Sequence, residues 1–272
     1  MSRSVEDTSI VLVGAGNLAT NLGKALYSKG FRIVQVFSRT ETSAKALAQV
    51  VEAEYTTELS ALFPNADLYI VALKDDAFLH LLPSMVLGKE NALWIHTAGS
   101  LSVDVWQNYV QRCGVLYPMQ TFSKMREVHF SQIPIFVEAS TPSDTTLLKQ
   151  IGSILSDKVY EATSLQRKSL HLAAVFACNF TNHMYALSAE LLEKYNLPFE
   201  VMLPLIDETA LKVHTLTPQE AQTGPAVRFD RQVMQKHQEM LSDFPTMQEI
   251  YCQLSENIHR LAVDNGSEFS DK

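Results

Sequence analysis

A short apolar run, Ile10 to Val13, passes directly into Gly14-Ala15-Gly16-Asn17-Leu18-Ala19, and from there into a helical pattern through Leu22, Ala25 and Leu26. A strand that enters a helix through Gly-x-Gly-x-x-Ala makes a turn too tight for most side chains. Gly14 permits the turn, Gly16 lets the backbone approach a bound group, and Ala19 is small enough for the helix to pack on the strand. The start of such a helix offers unpaired N–H groups and a partial positive charge, which suit a pyrophosphate. The alternative is a tight strand-to-helix turn with no ligand.

The second strand bears on which dinucleotide is expected. About twenty residues past the glycines, a site for NAD usually carries an acid that holds the ribose hydroxyls. Here the run Ile33–Phe37 ends in Ser38-Arg39-Thr40, and Glu41 falls one step into the next helical pattern. Two hydroxyls and a guanidinium suit a 2′-phosphate, since Arg can hold it through two parallel donors. NADP(H) is therefore expected, with Gly14, Ala15, Gly16, Asn17, Leu18, Ser38, Arg39, Thr40, Leu73, Lys74 and Thr97 as cofactor-binding residues. The competing reading has Ser38 capping the next helix and Arg39 solvated.

Further runs, Leu68–Ala72, Leu93–His96, Val115–Tyr117 and Ile133–Glu138, alternate with helical patterns, as in a parallel sheet of βαβ units. Thr141 before Pro142 reads as a helix cap followed by a first-turn proline. From about Ser164 the alternation stops, and Pro198, Pro204 and Pro245 divide a helical region. The expected architecture is α/β plus all-α: a Rossmann-type domain over residues 1–163 and a helical substrate and dimerisation domain over 164–272. Net charge is −8 with no basic run, which argues against nucleic acid. Three well-separated cysteines favour a reducing, cytoplasmic setting over a disulfide framework, and no spacing suggests a metal. The longest apolar stretch, Leu170 to Leu192, contains His171, Asn179, Asn182 and His183, so it reads as a buried helix and not a membrane span.

In sheets of this kind ligands sit beyond the carboxyl ends of the strands. Lys74 and His96 are placed there to act as acid or electrostatic groups, the alternatives being a solvated cation and a hydrogen-bonded core histidine. Taking Leu165 to Leu192 as one helix at about 100° per residue, Lys168, His171, Asn179, Asn182 and His183 fall within roughly 120° of arc. Such a stripe needs partners. It either lines a cleft facing the cofactor or bonds to other helices.

The sequence resembles Rossmann-type NADP oxidoreductases related to deazaflavin-coenzyme-dependent NADP reductase and pyrroline-5-carboxylate reductase. The resemblance is nearer to a subgroup with a C-terminal helical domain of unknown function. It is carried by Gly14-Ala15-Gly16-Asn17, Ser38-Arg39-Thr40, Ala72-Leu73-Lys74-Asp75-Asp76 and His96-Thr97-Ala98-Gly99-Ser100. Tyr117-Pro118-Met119-Gln120-Thr121-Phe122 and Thr223-Gly224-Pro225-Ala226-Val227-Arg228-Phe229-Asp230 continue it. It implies NADP(H) binding, an oxidoreductase fold and a homodimer, and names no substrate. Related hydroxyacid dehydrogenases pair a lysine with an asparagine four residues on; here Lys168 is followed by Leu172. His171 and Asn179 stand in as catalytic candidates beside His96 and Lys74. Thr223-Gly224-Pro225 is similar in position to the Ser-Pro-Gly-Gly turn of pyrroline-5-carboxylate reductase, which borders the substrate. Thr121, Asn182, Thr223, Gly224, Arg228 and Asp230 are the substrate-binding candidates, although the turn also suits an ordinary helix connector. The expectation is an NADP(H)-dependent oxidoreductase acting on a small polar substrate at the interdomain cleft. The alternatives are a non-catalytic NADP(H) sensor and a structural dimer with an empty nucleotide fold.

Overall fold

The computed structural model describes residues 4–126 and 128–264. The chain divides into two compact units, Met1–Asn179 and Phe180–Lys272. The first is built on an eight-stranded sheet with the order β3-β2-β1-β4-β5-β6-β7-β8. Its strands are β1 (Ser9–Val13), β2 (Arg32–Phe37), β3 (Glu54–Thr56), β4 (Leu68–Val71), β5 (Leu93–His96), β6 (Arg112–Pro118), β7 (Ile135–Ala139) and β8 (Val159–Glu161). All pairings are parallel except β6 with β7. The six strands read from the sequence are present. The two that carry no apolar block, β3 and β8, are three-residue edge strands.

Burial of the central strands on both faces explains their continuous apolar runs. Ile10, Leu12, Ile70 and Ile95 pack on one face with α1 (Asn17–Ser28), α2 (Glu41–Val50) and α4 (Pro142–Leu155). Val11, Val13, Tyr69, Val71 and Trp94 pack on the other with α3 (Asp75–Val86). Thr141 caps α4, its hydroxyl accepting from Asp144 N, and Pro142 occupies the first turn. Helix α5 (Ser164–Ala174) starts in a capping box, Thr163 with Gln166.

A π-helical turn, Val175–Phe180, follows α5. A π turn advances fewer degrees per residue than an α-helix, so arithmetic at 100° per step does not carry past Ala174. The expectation of a buried helix also fails in the single chain. Leu172 is 59% and Phe176 63% exposed.

The second unit contains α6 (Thr181–Lys194), α7 (Leu203–Lys212), α8 (Pro218–Ala221), α9 (Arg231–Met240) and α10 (Pro245–Asp264). Pro204, Pro218 and Pro245 sit in first helical turns, where a missing N–H costs nothing. Helices α9 and α10 are joined by His237 Nδ1 to Tyr251 Oη at 3.0 Å and by Gln248 Nε2 donating to Gln238 O at 2.7 Å. No helix among the described residues is long and apolar enough to cross a membrane.

Candidate functional site

Strand order reverses between β1 and β4, and there the turn after β1 packs tightly against the end of β4. Gly14 has φ +125°, and a Cβ built on it would lie 2.5 Å from the Ala72 carbonyl oxygen. Its N–H donates to Phe37 O at 2.8 Å, which ties the turn to the end of β2. Gly16 is the N-cap of α1 with no side-chain cap, so the first-turn N–H groups have no side-chain acceptor at that cap.

A cleft of about 640 Å³ opens from this point along the carboxyl ends of the strands. Asn17 and Leu18 line it after β1, Ala72, Leu73 and Asp75 after β4, and Thr97 to Ser100 after β5. Tyr117 and Pro118 at the end of β6 and the following Met119 to Phe122 continue the wall, and His171, Ala174, Cys178 and Asn179 close it from α5 and the π turn. A recess of about 710 Å³ at the amino-terminal sheet edge, bordered by Thr8, Asp67 and Lys89, is slightly larger. The carboxyl-edge cleft is the candidate, because only there do the loops after successive parallel strands converge.

Of the residues singled out in the sequence, the cleft gathers Asn17, Leu18, Leu73, Thr97, Thr121, His171 and Asn179. Gly14, Ala15 and Gly16 lead into it from β1, and Ser38-Arg39-Thr40 follow β2 at the neighbouring strand end. Thr40, not Ser38, is the N-cap of α2. The carboxylate of Glu41 is engaged by Tyr55, whose hydroxyl donates to it at 3.0 Å, and Arg39 is exposed.

Lys74 and His96 do not line the cleft. Lys74 is exposed at the N-cap of α3. His96 is 1% exposed, its ring 5.7 Å from Phe78 and 6.2 Å from Trp106. Its Nδ1 accepts from Ala98 N at 3.2 Å, and its Nε2 lies 3.4 Å from Ser102 O. Burial, aided by the charge of Arg167, lowers its pKa to about 3. The unfolded chain takes up a proton near the ordinary value of 6.5, while the folded one does not. The neutral-histidine contribution to stability is therefore complete above pH 6.5 and is lost as pH falls from there towards 3. Replacing His96 by Gln is expected to flatten the fall in melting temperature between about pH 6.5 and 4.5; an unchanged slope would show that His96 is not the group responsible.

Several site residues carried no role in the sequence. Asp75 accepts from the Ser100 hydroxyl within the cleft. Tyr117, 8% exposed, has its hydroxyl 3.4 Å from His171 Nδ1. Burial pushes the Tyr117 hydroxyl up from its usual range, against a smaller downward pull from Arg167. Gly99 lies under His171: a Cβ there would come within 2.8 Å of the ring nitrogen Nδ1.

Arg167, 1% exposed, is the anchor of this wall. It pairs with Glu138 of β7 at 2.5 Å, donates to Ala98 O at 3.3 Å, and also donates to Leu101 O. Ser164 completes the network by donating to Glu138 at 2.8 Å and accepting from Val103 N at 2.9 Å.

The remaining candidates belong to the second unit. Asn182 is exposed on α6. Thr223, Gly224, Arg228 and Asp230 share the turn before α9, with Gly224 at φ +111°. Asp230 caps α9 by accepting from Val233 N at 3.2 Å. The neighbouring Arg231 lies 4.6 Å over the Phe229 ring.

Comparisons with known proteins agree with this architecture. Residues 1–85 match the family model described as shikimate/quinate 5-dehydrogenase, and residues 133–258 match one described as a domain of unknown function, DUF2520. No curated protein matches the chain. Among solved structures, a candidate NADP oxidoreductase from Bacteroides fragilis is 66% identical with a TM-score of 0.92, over 94% of this chain and 100% of its own. An imine reductase from Myxococcus stipitatus, solved with NADP+, is 15% identical with a TM-score of 0.64 over 95% of each chain. A 1-pyrroline-5-carboxylate reductase from Streptococcus pyogenes is 14% identical with a TM-score of 0.59, over 94% of this chain and 99% of its own. The last two show the fold alone. Identity at two thirds of positions over nearly the whole length is a different matter, and the chain belongs to the family of the Bacteroides fragilis candidate NADP oxidoreductase.

Proposed function

We propose that the chain is an NADP(H)-dependent oxidoreductase that moves a hydride to or from a small polar substrate. The observation that carries the proposal is the cleft of about 640 Å³ running from the glycine turn at the β1–β4 switch point along the carboxyl ends of four strands. NADP(H) supplies the hydride when bound. Gly14, Ala15, Gly16, Asn17 and Leu18 are suited to the pyrophosphate, through backbone N–H groups at the start of α1. Ser38, Arg39 and Thr40 are suited to the 2′-phosphate; Arg39 is exposed, and Glu41, two residues on in the chain, is held by Tyr55. Leu73 and Thr97 flank the reactive end, with Lys74 at the same strand edge.

His171 and Asn179 are the proposed catalytic groups of the helical wall. His96 is sealed behind it and supports the β5 loop, and Lys74 acts through charge alone. Thr121, with Asn182, Thr223, Gly224, Arg228 and Asp230 of the second unit, is proposed for the substrate. On this reading residues 1–163 serve the cofactor, and 164–272 serve substrate and dimerisation. A homodimer is supported by α7, which buries none of its residues in the single chain although Leu203, Leu205 and Leu211 are apolar and exposed. Its mass in light scattering is expected to be twice that of the chain. Three unpaired cysteines fit a cytoplasmic setting.

The alternative, a non-catalytic NADP(H) sensor, is favoured by one departure: Leu172 stands where a lysine-dependent mechanism places asparagine. The test is thermal melting with NADPH, NADH or nothing added. NADPH at 100 times its dissociation constant adds about 2.7 kcal/mol, a rise of roughly 5–10 °C. No rise with either cofactor would withdraw the function. A rise with NADPH but no oxidation of it by a panel of cyclic imines, ketones and enones would leave the sensor. Arg39→Ala is expected to weaken NADPH at least about tenfold, about 1.4 kcal/mol, and leave NADH unchanged. Equal weakening of both would refute the 2′-phosphate role.

A further inference from the structure

Resting on the oxidoreductase reading above, we propose that Tyr117 is the proton donor of the cleft and that His171 is the relay that restores its proton. The two side chains come from different elements, β6 and α5, yet meet at 3.4 Å from Tyr117 Oη to His171 Nδ1. Their rings stand edge to face, with centroids 6.4 Å apart at 76°. Both line the cleft. Tyr117 is nearly buried and His171 is half-buried, so one end of the pair is shielded and the other reaches water.

Two further features serve this meeting. Gly99 has no side chain where His171 lies, and any Cβ there would collide with the ring. Arg167, one helical turn before His171, ties α5 to the β5 loop through Ala98 O and Leu101 O and to β7 through Glu138. Gly99, in the cleft lining, and Arg167 behind it position the pair and supply no proton. The other charged or titratable groups near it are Cys178 in the π turn and Asp75, held by Ser100. Neither of the other basic candidates competes, because Lys74 is outside the cleft and His96 is sealed in the core.

The proton balance is simple. When the carbon of a C=O or C=N bond gains hydride, the π electron pair moves to the heteroatom, which then needs one proton. The Tyr117 O–H bond breaks to supply it, leaving a phenolate. The phenolate takes the proton from Nδ1–H of His171 as Nε2 of the same ring takes one from water, so no imidazolate forms and the hydroxide left behind passes to solvent. In the oxidative direction the same path runs backwards. A phenol is a suitable acid for a developing alkoxide or amide anion, since it is stronger than either conjugate acid yet stays protonated at neutral pH.

The test uses the full-length protein, NADPH, and the best acceptor among the cyclic imines and ketones of the panel. Tyr117→Phe is expected to lower kcat about 100-fold or more, with KM for NADPH unchanged and the same NADPH-induced rise in melting temperature. His171→Ala is expected to lower kcat at least about tenfold and to regain rate when imidazole is added, whereas Tyr117→Phe gains nothing from imidazole. A purely structural role for His171 would not give that rescue. A Tyr117→Phe protein within threefold of wild-type kcat overturns the proposal, as does His171→Ala that imidazole does not rescue. These failures occur in an enzyme whose wild type reduces the panel. A wild type that binds NADPH and reduces nothing instead withdraws the oxidoreductase reading, and this inference with it.

Discussion

Arg167→Met should lower the melting temperature by roughly 10 °C. The side chain is 1% exposed and serves four partners: Glu138, Ser164, and the carbonyls of Ala98 and Leu101. Removing one member of a buried pair costs about 3–5 kcal/mol, because the other charge stays behind without compensation. Each kcal/mol is worth roughly 2–4 °C in a chain of this size. The exposed pair Lys149–Glu161, also within bonding distance at 2.9 Å, should by contrast cost under about 1 kcal/mol when broken. The double substitution Arg167→Met with Glu138→Leu should recover part of the loss, since no orphaned carboxylate remains. Urea or thermal melts of the three proteins check this. A single-variant loss below about 1 kcal/mol would mean that water replaces the guanidinium and that the network does not hold the β5 loop.

That network marks a limit of what the sequence could tell. Arg167 falls beside Lys168 in a polar stretch, and nothing local separates a solvated cation from one buried against Glu138, 29 residues away. The apolar blocks of β1, β2, β4 and β5 were legible because central strands must be buried on both faces. The edges β3 and β8 were not, since three largely exposed residues such as Glu54-Tyr55-Thr56 carry no such block. His171 and Asn179 were singled out from a helical stripe, and both line the cleft, although the stepping that chose Asn179 does not hold through the π turn in which it lies. The π turn at Val175–Phe180 was missed, because no residue type compels it and the stepping assumed one uniform helix. His96 shows how alternation decides a role. It shares a sheet face with Trp94, and that face packs on Trp106 and Phe78, so the last strand residue turns inward while Thr97 to Ser100 reach the cleft.

The glycines of the turn should fail for different reasons. Gly14→Ala places a methyl group 2.5 Å from the Ala72 carbonyl oxygen, on a backbone at φ +125° that side chains rarely adopt. Backbone on the next strand's loop cannot swing aside as a flexible side chain would. The β1–β4 crevice must therefore open, or the turn must change shape. Backbone strain of this type costs about 1–3 kcal/mol before any collision is counted. Gly14→Ala is expected to lower the melting temperature without ligand and to weaken NADPH about 100-fold or more, equivalent to about 2.8 kcal/mol. At Gly16 a methyl group meets nothing within 4 Å, and φ is −77°. Gly16→Ala should therefore melt like the wild type in the absence of ligand and lose affinity only when a pyrophosphate must approach that backbone. The measurement is melting temperature and NADPH dissociation constant for both variants. If Gly16→Ala binds NADPH as well as the wild type, the phosphates do not lie against this turn, and the cofactor role assigned to Gly14 through Leu18 falls. If Gly14→Ala is as stable and as tightly bound as wild type, the crevice is looser than the Ala72 contact requires.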